Sequence, residues 1–479
     1  MSAWHLVGIG GAGMSVVAAL LVERGEVVSG SDARASAALD ALRERGVTVH
    51  LGHDASHVAG LPDDARVVVS TAVRESNPEL AAARERGLAV LHRSEALAWL
   101  MSGESVVAVA GAHGKTTTSA MLAVALAEAG LDPSFAIGGA VIPPGEGGVG
   151  SVPGGPLAGA GHGEGGVFVA EADESDGSFL AYEPSLAVVT NVEPDHLDHF
   201  GSREAFEQIF ADFAGRIRPD GALVACADDD GAHRLAERVR EQGRVRVVTY
   251  GRSDSAGSPD VLLEVRGGAE PGAFVHESLD GRRRSTALPI AVPGAHNLLN
   301  ATGAFTALRL LGVDAQVAAR GLAAFRGTGR RFELLGTAGD VRVVDDYAHH
   351  PTEVLALLRA AREVAGAGRV IALFQPHLFS RTAHFAAEFA EALSLADVAV
   401  VTGIYAARED PVEGVSAETI TRLMTNGEHV PGREDAAKRV AELARPGDLV
   451  LTVGAGDVTE LGPVILARLR GETTAGDRV

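Results

Sequence analysis

Two glycine-rich loops carry the densest chemistry in this sequence. Ala110-Gly111-Ala112-His113-Gly114-Lys115-Thr116-Thr117-Thr118 follows an apolar run and opens a helical one. In such a loop backbone N–H groups wrap phosphate oxygens, a lysine sets a point charge on them, and a threonine hydroxyl can hold Mg²⁺. The loop is shorter than the G-x-x-x-x-G-K-[ST] pattern. Val109 stands where the first glycine would fall, and the turn pivots on Gly111 and Gly114. Lys115 and Lys438 are the only lysines in the chain, so a lysine kept at this point in an arginine-biased sequence is informative.

The other loop lies near the N-terminus. Gly8, Gly10 and Gly13 fit G-x-G-x-x-G between a strand and a helix, with Gly11 as an additional glycine. Glycines allow the backbone to approach a pyrophosphate, and the helix N-terminus supplies donors and positive partial charge. Asp32 follows nineteen residues after Gly13, where a dinucleotide reading would put a carboxylate on a ribose. The pattern alone does not separate NAD from another pyrophosphate such as a UDP-sugar.

Acidic and histidine-rich segments follow. Gly166–Ala170 reads as a buried strand ending in Glu171-Ala172-Asp173-Glu174-Ser175-Asp176. Acids at the carboxyl end of an α/β strand lie where ligands bind, and Mg²⁺ needs hard oxygen donors; Glu171 is the first choice. Leu186–Thr190 runs into Asn191-Val192-Glu193-Pro194-Asp195-His196-Leu197-Asp198-His199, where a histidine between aspartates suits a metal or nucleotide contact. Asn297, opening a helix in Gly294-Ala295-His296-Asn297, has the donor and acceptor that an adenine edge requires. Arg330-Arg331 places guanidinium groups that could stabilise a transferring phosphoryl group, with a surface ion pair as the alternative. Asp345–Glu353, Phe374–Thr382 and Gly454–Asp457 each end a strand in polar residues. Three such ends imply one sheet edge presented to a ligand.

The surrounding pattern supplies elements to hold these groups. Strand-like runs at Trp4–Ile9, Glu26–Ser29, Arg66–Thr71 and Leu88–Leu91 alternate with helical runs at Met14–Arg24 and Ala35–Arg45. A second series has strands at Ser105–Ala110, Gly166–Glu171 and Leu186–Thr190, and a helix at Thr117–Glu128. A third has strands at Val341–Val344, Val370–Phe374, Val398–Thr402 and Leu449–Val453. Such alternation predicts parallel sheets covered by helices. Short segments in Val245–Pro293 suggest added antiparallel strands, and the Gly/Pro-rich stretch 138–166 reads as a surface excursion. The fold class expected is α/β in three domains: 1–103, Rossmann-like; 104–326, a P-loop ATPase-like parallel sheet with added strands; and 327–479, Rossmann-like.

Composition narrows the function classes. The chain has 479 residues, room for about three domains, and a formal charge of −21 disfavours nucleic acid and anionic membrane as partners. No run reaches eighteen apolar residues, so no membrane-spanning helix is expected. The N-terminal apolar run has no basic stretch before it and reads as a strand, not a signal peptide. The single cysteine, Cys226, excludes an internal disulfide framework and fits a reducing cytoplasm.

Taken together, GIGGAGMS at 8–15, AGAHGKTTTS at 110–119, EADESD at 171–176, TNVEPDHLDHF at 190–200, PGAHNLLNA at 293–301, GRRFE at 329–333, DDYAHHPTE at 345–353, FQPHLFSRT at 374–382 and GAGD at 454–457 resemble the Mur ligases of peptidoglycan synthesis, in the family's order. The resemblance implies a UDP-sugar-binding domain, an ATPase domain and a C-terminal domain that closes on the site. It implies ATP and Mg²⁺, with UDP-N-acetylmuramate and L-alanine joined through an acyl phosphate, in a cytoplasmic monomer or homodimer. On this reading Gly10, Gly11, Gly13, Asp32 and Ser70 serve the UDP-sugar. Gly111, His113, Gly114, Lys115, Thr116, Thr117, His296, Asn297, Arg331 and Asp346 serve the nucleotide. Thr116, Glu171 and His196 hold the metal, and Tyr347, His349, His377 and Arg381 line the amino-acid site, with Lys115, His349 and Arg381 as the catalytic set. Alternatives are a ligase that adds a preformed peptide to the same sugar, a NAD-dependent dehydrogenase, and a P-loop switch. The chain departs from the family pattern in three ways. Ala112 replaces a threonine, Leu378 stands where arginine is usual, and the Gly/Pro-rich stretch 138–166 is longer than the family norm. Some related ligases use a carbamylated lysine, and no lysine between residues 116 and 437 is available for it here.

Overall fold

A computed structural model describes residues 2–142, 157–193, 200–252, 258–267, 272–407 and 409–472. Contacts divide the chain into two compact units: Met1–Ala291 with Leu298–Arg326, and Val292–Asn297 with Gly327–Val479. The first unit holds two sheets and the second holds one, which gives three α/β layers in all.

The N-terminal sheet contains β1 (Ala3–Val7), β2 (Val27–Asp32), β3 (Thr48–Leu51), β4 (Arg66–Val69) and β5 (Ala89–His92). All pairings are parallel, in the order β3-β2-β1-β4-β5. The order reverses beside β1, so the loop after β1 opens into the crevice where α/β sheets bind ligands. The second strand runs to Asp32, three residues beyond its expected end, because the pairing with β3 carries it on. The expected strand Leu88–Leu91 shifts to Ala89–His92.

A buried carboxylate ties this sheet together. Glu79 lies in the first turn of the helix Pro78–Glu85, which Asn77 caps, and its side chain is fully buried. It accepts hydrogen bonds from Ser31 Oγ at 2.5 Å, His57 Nδ1 at 2.6 Å and His53 Nδ1 at 2.9 Å, with His5 Nε2 at 3.5 Å. Burial alone would raise its pKa, but the donors from His5, Ser31, His57 and His53 win and hold it at about 2. Ser31 in turn receives the Gly8 and Ile9 amides on its carbonyl, at 2.8 and 2.9 Å, so the network reaches the first glycine loop.

The second sheet comprises β6 (Ser105–Ala110), β7 (Ser134–Ala136), β8 (Ala160–Gly161), β9 (Val167–Glu171), β10 (Leu186–Val189), β11 (Ala222–Cys226), β12 (Arg246–Arg252), β13 (Val261–Arg266), β14 (Gly272–Glu277) and β15 (Arg284–Ala287). Their order is β15-β14-β13-β12-β11-β10-β6-β9-β7-β8. Parallel pairing runs from β7 through β13; β14 and β15 add antiparallel strands, as the short alternating segments suggest. β6 sits between β9 and β10, which brings their three carboxyl ends side by side. The helix Lys115–Glu128 begins two residues earlier than expected and is buried from Thr116 to Leu126. The expected surface excursion at 138–166 is corrected at its end: Leu157, Ala158 and Ala160 are buried, and β8 pairs with β7. Residues 143–156 of that stretch lie outside the described set.

The second unit carries β16 (Glu333–Ala338), β17 (Val341–Asp346), β18 (Val370–Phe374), β19 (Val398–Val401), β20 (Gly427–His429) and β21 (Leu449–Val453). Only β16 is antiparallel, in the order β16-β17-β21-β18-β19-β20. Apolar clusters cover both faces, built around Phe374, Phe389 and Leu358 on one side and Ile371, Val450 and Ile465 on the other. β17, β21 and β18 are neighbours, so the three polar strand ends do share one edge.

Glu79→Gln should lower the stability of the N-terminal sheet at pH 7. A carboxylate held at about 2 against an ordinary 4.5 contributes roughly 3 kcal/mol. That contribution is complete above the unfolded value and fades as pH falls from 4.5 toward 2, so the gap between wild type and variant narrows in acid. Trp4 of β1 and Trp99 of the helix Arg93–Leu100, the chain's two tryptophans, have ring centres 4.9 Å apart and report unfolding of this layer by fluorescence.

Candidate active site

The second glycine loop is built by close approach. Gly111 has φ +137°, and a Cβ there would fall 2.1 Å from Thr190 Oγ1 and 3.0 Å from the Asn191 backbone. Only glycine lets the end of β10 come this near the end of β6. Gly114 is left-handed at φ +82°, with Asn300 Oδ1 2.6 Å from where a Cβ would be. Between them His113 is clamped: its amide donates to Asn191 Oδ1 at 2.9 Å, and its carbonyl accepts from Thr190 Oγ1 at 2.6 Å and Asn191 Nδ2 at 3.0 Å.

Lys115 turns back over this loop. Its Nζ donates to the carbonyls of Gly111 at 2.6 Å and Ala112 at 3.1 Å, and lies 2.8 and 3.0 Å from the two carboxylate oxygens of Glu174. Glu174 is buried, and burial pushes its pKa up to about 7 against the pull of Lys115. Thr116 Oγ1 donates to Glu171 Oε1 at 3.0 Å, and the other Glu171 oxygen accepts from the Gly138 amide at 2.7 Å. A threonine hydroxyl and an oriented carboxylate at the start of a phosphate-binding helix are the hard donors that Mg²⁺ prefers, so these residues fit the ion. The third expected metal contact, His196, lies outside the described residues. Thr117 is buried in the first turn of the helix.

The first glycine loop is held by β2. Gly8 has φ +77°, and the Gly10 amide donates to Asp32 Oδ2 at 2.9 Å. The expected ribose ligand Asp32 therefore organises the loop itself. Gly11 caps the helix Ala12–Glu23 without a side-chain partner, Gly13 lies in its first turn, and Ser70 turns the chain after β4.

The second unit assembles the other expected residues. Asp346 ends β17 and accepts from the Phe332 amide at 2.7 Å and the Ala348 amide at 2.8 Å. Burial raises its pKa to about 6, with Arg331 opposing. Arg331 and Arg330 lie over the Tyr347 ring, 4.8 and 4.7 Å from its centre. Arg330 also donates to the carbonyls of Gly454 at 2.6 Å and Gly456 at 3.1 Å, joining the ends of β17 and β21. His349 Nδ1 lies 3.1 Å from both the Tyr347 carbonyl and Glu353 Oε2, and its ring is 5.9 Å from that of His377. His377 stacks on Tyr405 at 5.7 Å. Leu378 adopts φ +70°, a strained setting for a side chain of this size, and the helix Phe379–His384 carrying buried Arg381 starts directly after it. His296 is held near 4 by burial, hence neutral at pH 7, and Asn297 Nδ2 donates to the Pro293 carbonyl at 2.7 Å.

Sequence reasoning did not assign roles to Glu174, Thr190, Asn191, Asn300 and Tyr405. Glu174 and Asn191 stand inside quoted motifs, but only the pairing of β6 with β9 and β10 shows what they touch.

Three mainly parallel sheets, a glycine-lysine loop at a strand-order reversal and polar strand ends fit an ATP-dependent ligase of the Mur type. Mur ligase models match the chain in order: the family's catalytic domain over residues 3–105, its middle domain over 109–308, and the glutamate ligase domain over 330–456. The chain belongs to the Mur ligase family. It is 56% identical over 466 residues to the UDP-N-acetylmuramate–L-alanine ligase of Kineococcus radiotolerans, covering 96% of this chain and 95% of that protein. It is 50% identical over 478 residues to the enzyme of the same name from Mycolicibacterium smegmatis, covering 98% and 96%. Among solved structures it is similar to the UDP-N-acetylmuramate–alanine ligase MurC of Thermotoga maritima, with a TM-score of 0.78 and 29% identity over 98% of this chain and all 100% of that one. It is also similar to a murein peptide ligase of Psychrobacter arcticus, with a TM-score of 0.73 and 26% identity over 99% and 100%.

Gly111→Ala should weaken ADP binding by about 10- to 100-fold, because the added methyl displaces Thr190 and strains the loop. Calorimetric titration of ADP checks this; an unchanged affinity would contradict the loop's role.

Proposed function

We propose that this protein joins L-alanine to the carboxylate of UDP-N-acetylmuramate, converting ATP to ADP and phosphate. The observation that carries the reading is the phosphate loop, with Lys115 and Thr116 directed at acids on the neighbouring strand end. The names borne by relatives at 50–56% identity support alanine over a preformed peptide as the second substrate. A dehydrogenase would leave Lys115 without a purpose, and a simple nucleotide switch would leave the N-terminal loop and the third sheet without one. We read the chain as three domains with boundaries near residues 103 and 327, acting in the cytoplasm. Among the described residues no helix is long and apolar enough to cross a membrane.

A carboxylate is a poor acyl donor because its oxygen is a poor leaving group. Transfer of the γ-phosphoryl group makes an acyl phosphate; the uncharged amine then attacks, a tetrahedral intermediate forms, and phosphate departs. Lys115 leaves Glu174 for a phosphate oxygen and offsets the charge that develops. Thr116 and Glu171 would hold Mg²⁺, which supplies further neutralisation at the phosphates. Arg331 and Asp346 serve the nucleotide from the C-terminal domain, and Arg381 receives the alanine carboxylate in place of the arginine missing at Leu378.

His349 is assigned as the acceptor of the amine proton. Both groups facing its Nδ1 are acceptors, so that nitrogen carries the hydrogen and donates it. In the neutral ring Nε2 is then left with a lone pair, and Glu353 steadies the cation that forms.

Phosphate release from ATP should require both UDP-N-acetylmuramate and L-alanine, with the amide product confirmed by mass. Lys115→Ala should abolish it in a folded protein, and near-normal turnover in that variant would sink the assignment. His349→Gln should cut kcat by about 100-fold or more with the alanine KM little changed. A near-normal kcat would exclude His349 as the base.

A further inference from the structure

Arg93 is the residue whose position the functions above leave unexplained. It is the first residue of the helix Arg93–Leu100, set there by a capping box between His92 and Glu95. A cation at that point opposes the positive end of its own helix. Its side chain crosses to a second helix start. A Cβ built on Gly13 would fall 2.3 Å from Arg93 Nη1 and 3.2 Å from its Cδ and Cζ. The guanidinium therefore lies against the first turn of the helix Ala12–Glu23, whose N-cap Gly11 supplies no side chain. The third glycine of the motif is thus required to admit an arginine. Against this concentration of positive charge the described residues offer one weak partner, Asp173 Oδ2 at 3.5 Å from Nη2. The start of the helix Ala12–Glu23 thus carries a guanidinium with most of its donors unspent, and Asp32, which takes the Gly10 amide, makes no ion pair with it.

We propose that Arg93 is a positioning residue that binds the diphosphate of the UDP-sugar across Gly13, exchanging Asp173 for phosphate oxygens when the sugar nucleotide arrives. The proposal rests on the ligase reading and adds a determinant from a helix some eighty residues beyond the glycine motif. Asp173 follows Glu171 and precedes Glu174, the partner of Lys115, so the exchange would also report occupancy of the first loop to the acids facing the second.

The test is calorimetric titration of wild type, Arg93→Ala, Arg93→Lys and Gly13→Ala with UDP and with UDP-N-acetylmuramate. Arg93→Ala should weaken both ligands by about 10- to 100-fold, and Arg93→Lys, which keeps charge without the planar fork, should recover part of the loss. Gly13→Ala adds a methyl where the guanidinium tip now lies, and that tip is free to swing away. It should mimic Arg93→Ala without unfolding the sheet, as the tryptophan fluorescence melt would show. The double variant should then bind no worse than Arg93→Ala within about threefold, because both changes remove the same contact. Affinity for both ligands unchanged in Arg93→Ala, additive losses in the double variant, or a loss confined to UDP-N-acetylmuramate would each overturn the proposal; the last would assign Arg93 to the sugar's carboxylate instead. Failure of wild type to bind UDP-N-acetylmuramate at all would instead overturn the ligase reading beneath it.

Discussion

The ion pair between Lys115 and Glu174 sets the terms for the rest of the catalytic layer. Removing an ammonium and a carboxylate from water costs several kcal/mol per ion, and their attraction offsets that only with good geometry and further hydrogen bonds. Here both carboxylate oxygens lie within 3.0 Å of Nζ, and two loop carbonyls take its remaining hydrogens. That arrangement needs β9 beside β6 in parallel register, because Glu174 follows the end of β9 and Lys115 follows the end of β6. It also needs a loop short enough to fold its carbonyls back toward Nζ. The positive φ of Gly111 and its approach to Thr190 follow from that shortness. In this state the lysine is satisfied by protein groups.

The same economy recurs on the other sheets. Each places polar groups at carboxyl strand ends beside a reversal or a polar crossing. In the N-terminal sheet, Ser31 and Asp32 at the end of β2 take the amides of Gly8, Ile9 and Gly10, so strand pairing shapes the loop. In the C-terminal sheet, Arg330 bridges the ends of β17 and β21 and stacks on Tyr347. Leu378 shows what such construction costs. A leucine at positive φ persists because its amide donates to the Tyr405 carbonyl at 3.0 Å and its own carbonyl caps the helix carrying Arg381.

Much of the architecture was legible along the chain because local signals agreed. Apolar runs of four to six residues followed by glycine, acidic or other polar residues marked β6, β9, β18 and β21 closely. Element ends were less legible where pairing decides them. β2 runs on to Asp32 through its ladder with β3, and Ala160–Gly161 joins a sheet although its glycine-rich surroundings read as loop. Of the candidate site residues, the second glycine loop and Glu171 stood out by residue type and spacing, and the fold brings Thr116 onto Glu171.

By itself, the sequence determined the reaction class, through the glycine loops, the lysine inside the second of them, and the order of the acidic and histidine motifs. Tertiary structure alone decided the partners. That Glu174 and not Asp176 holds Lys115, that Asp32 serves its own loop, and that Arg93 lies on Gly13 are matters of strand order and close approach. A local pattern specifies which donors and acceptors exist. Which of them meet depends on segments tens of residues apart being packed into one register, and no short stretch of sequence encodes that distance.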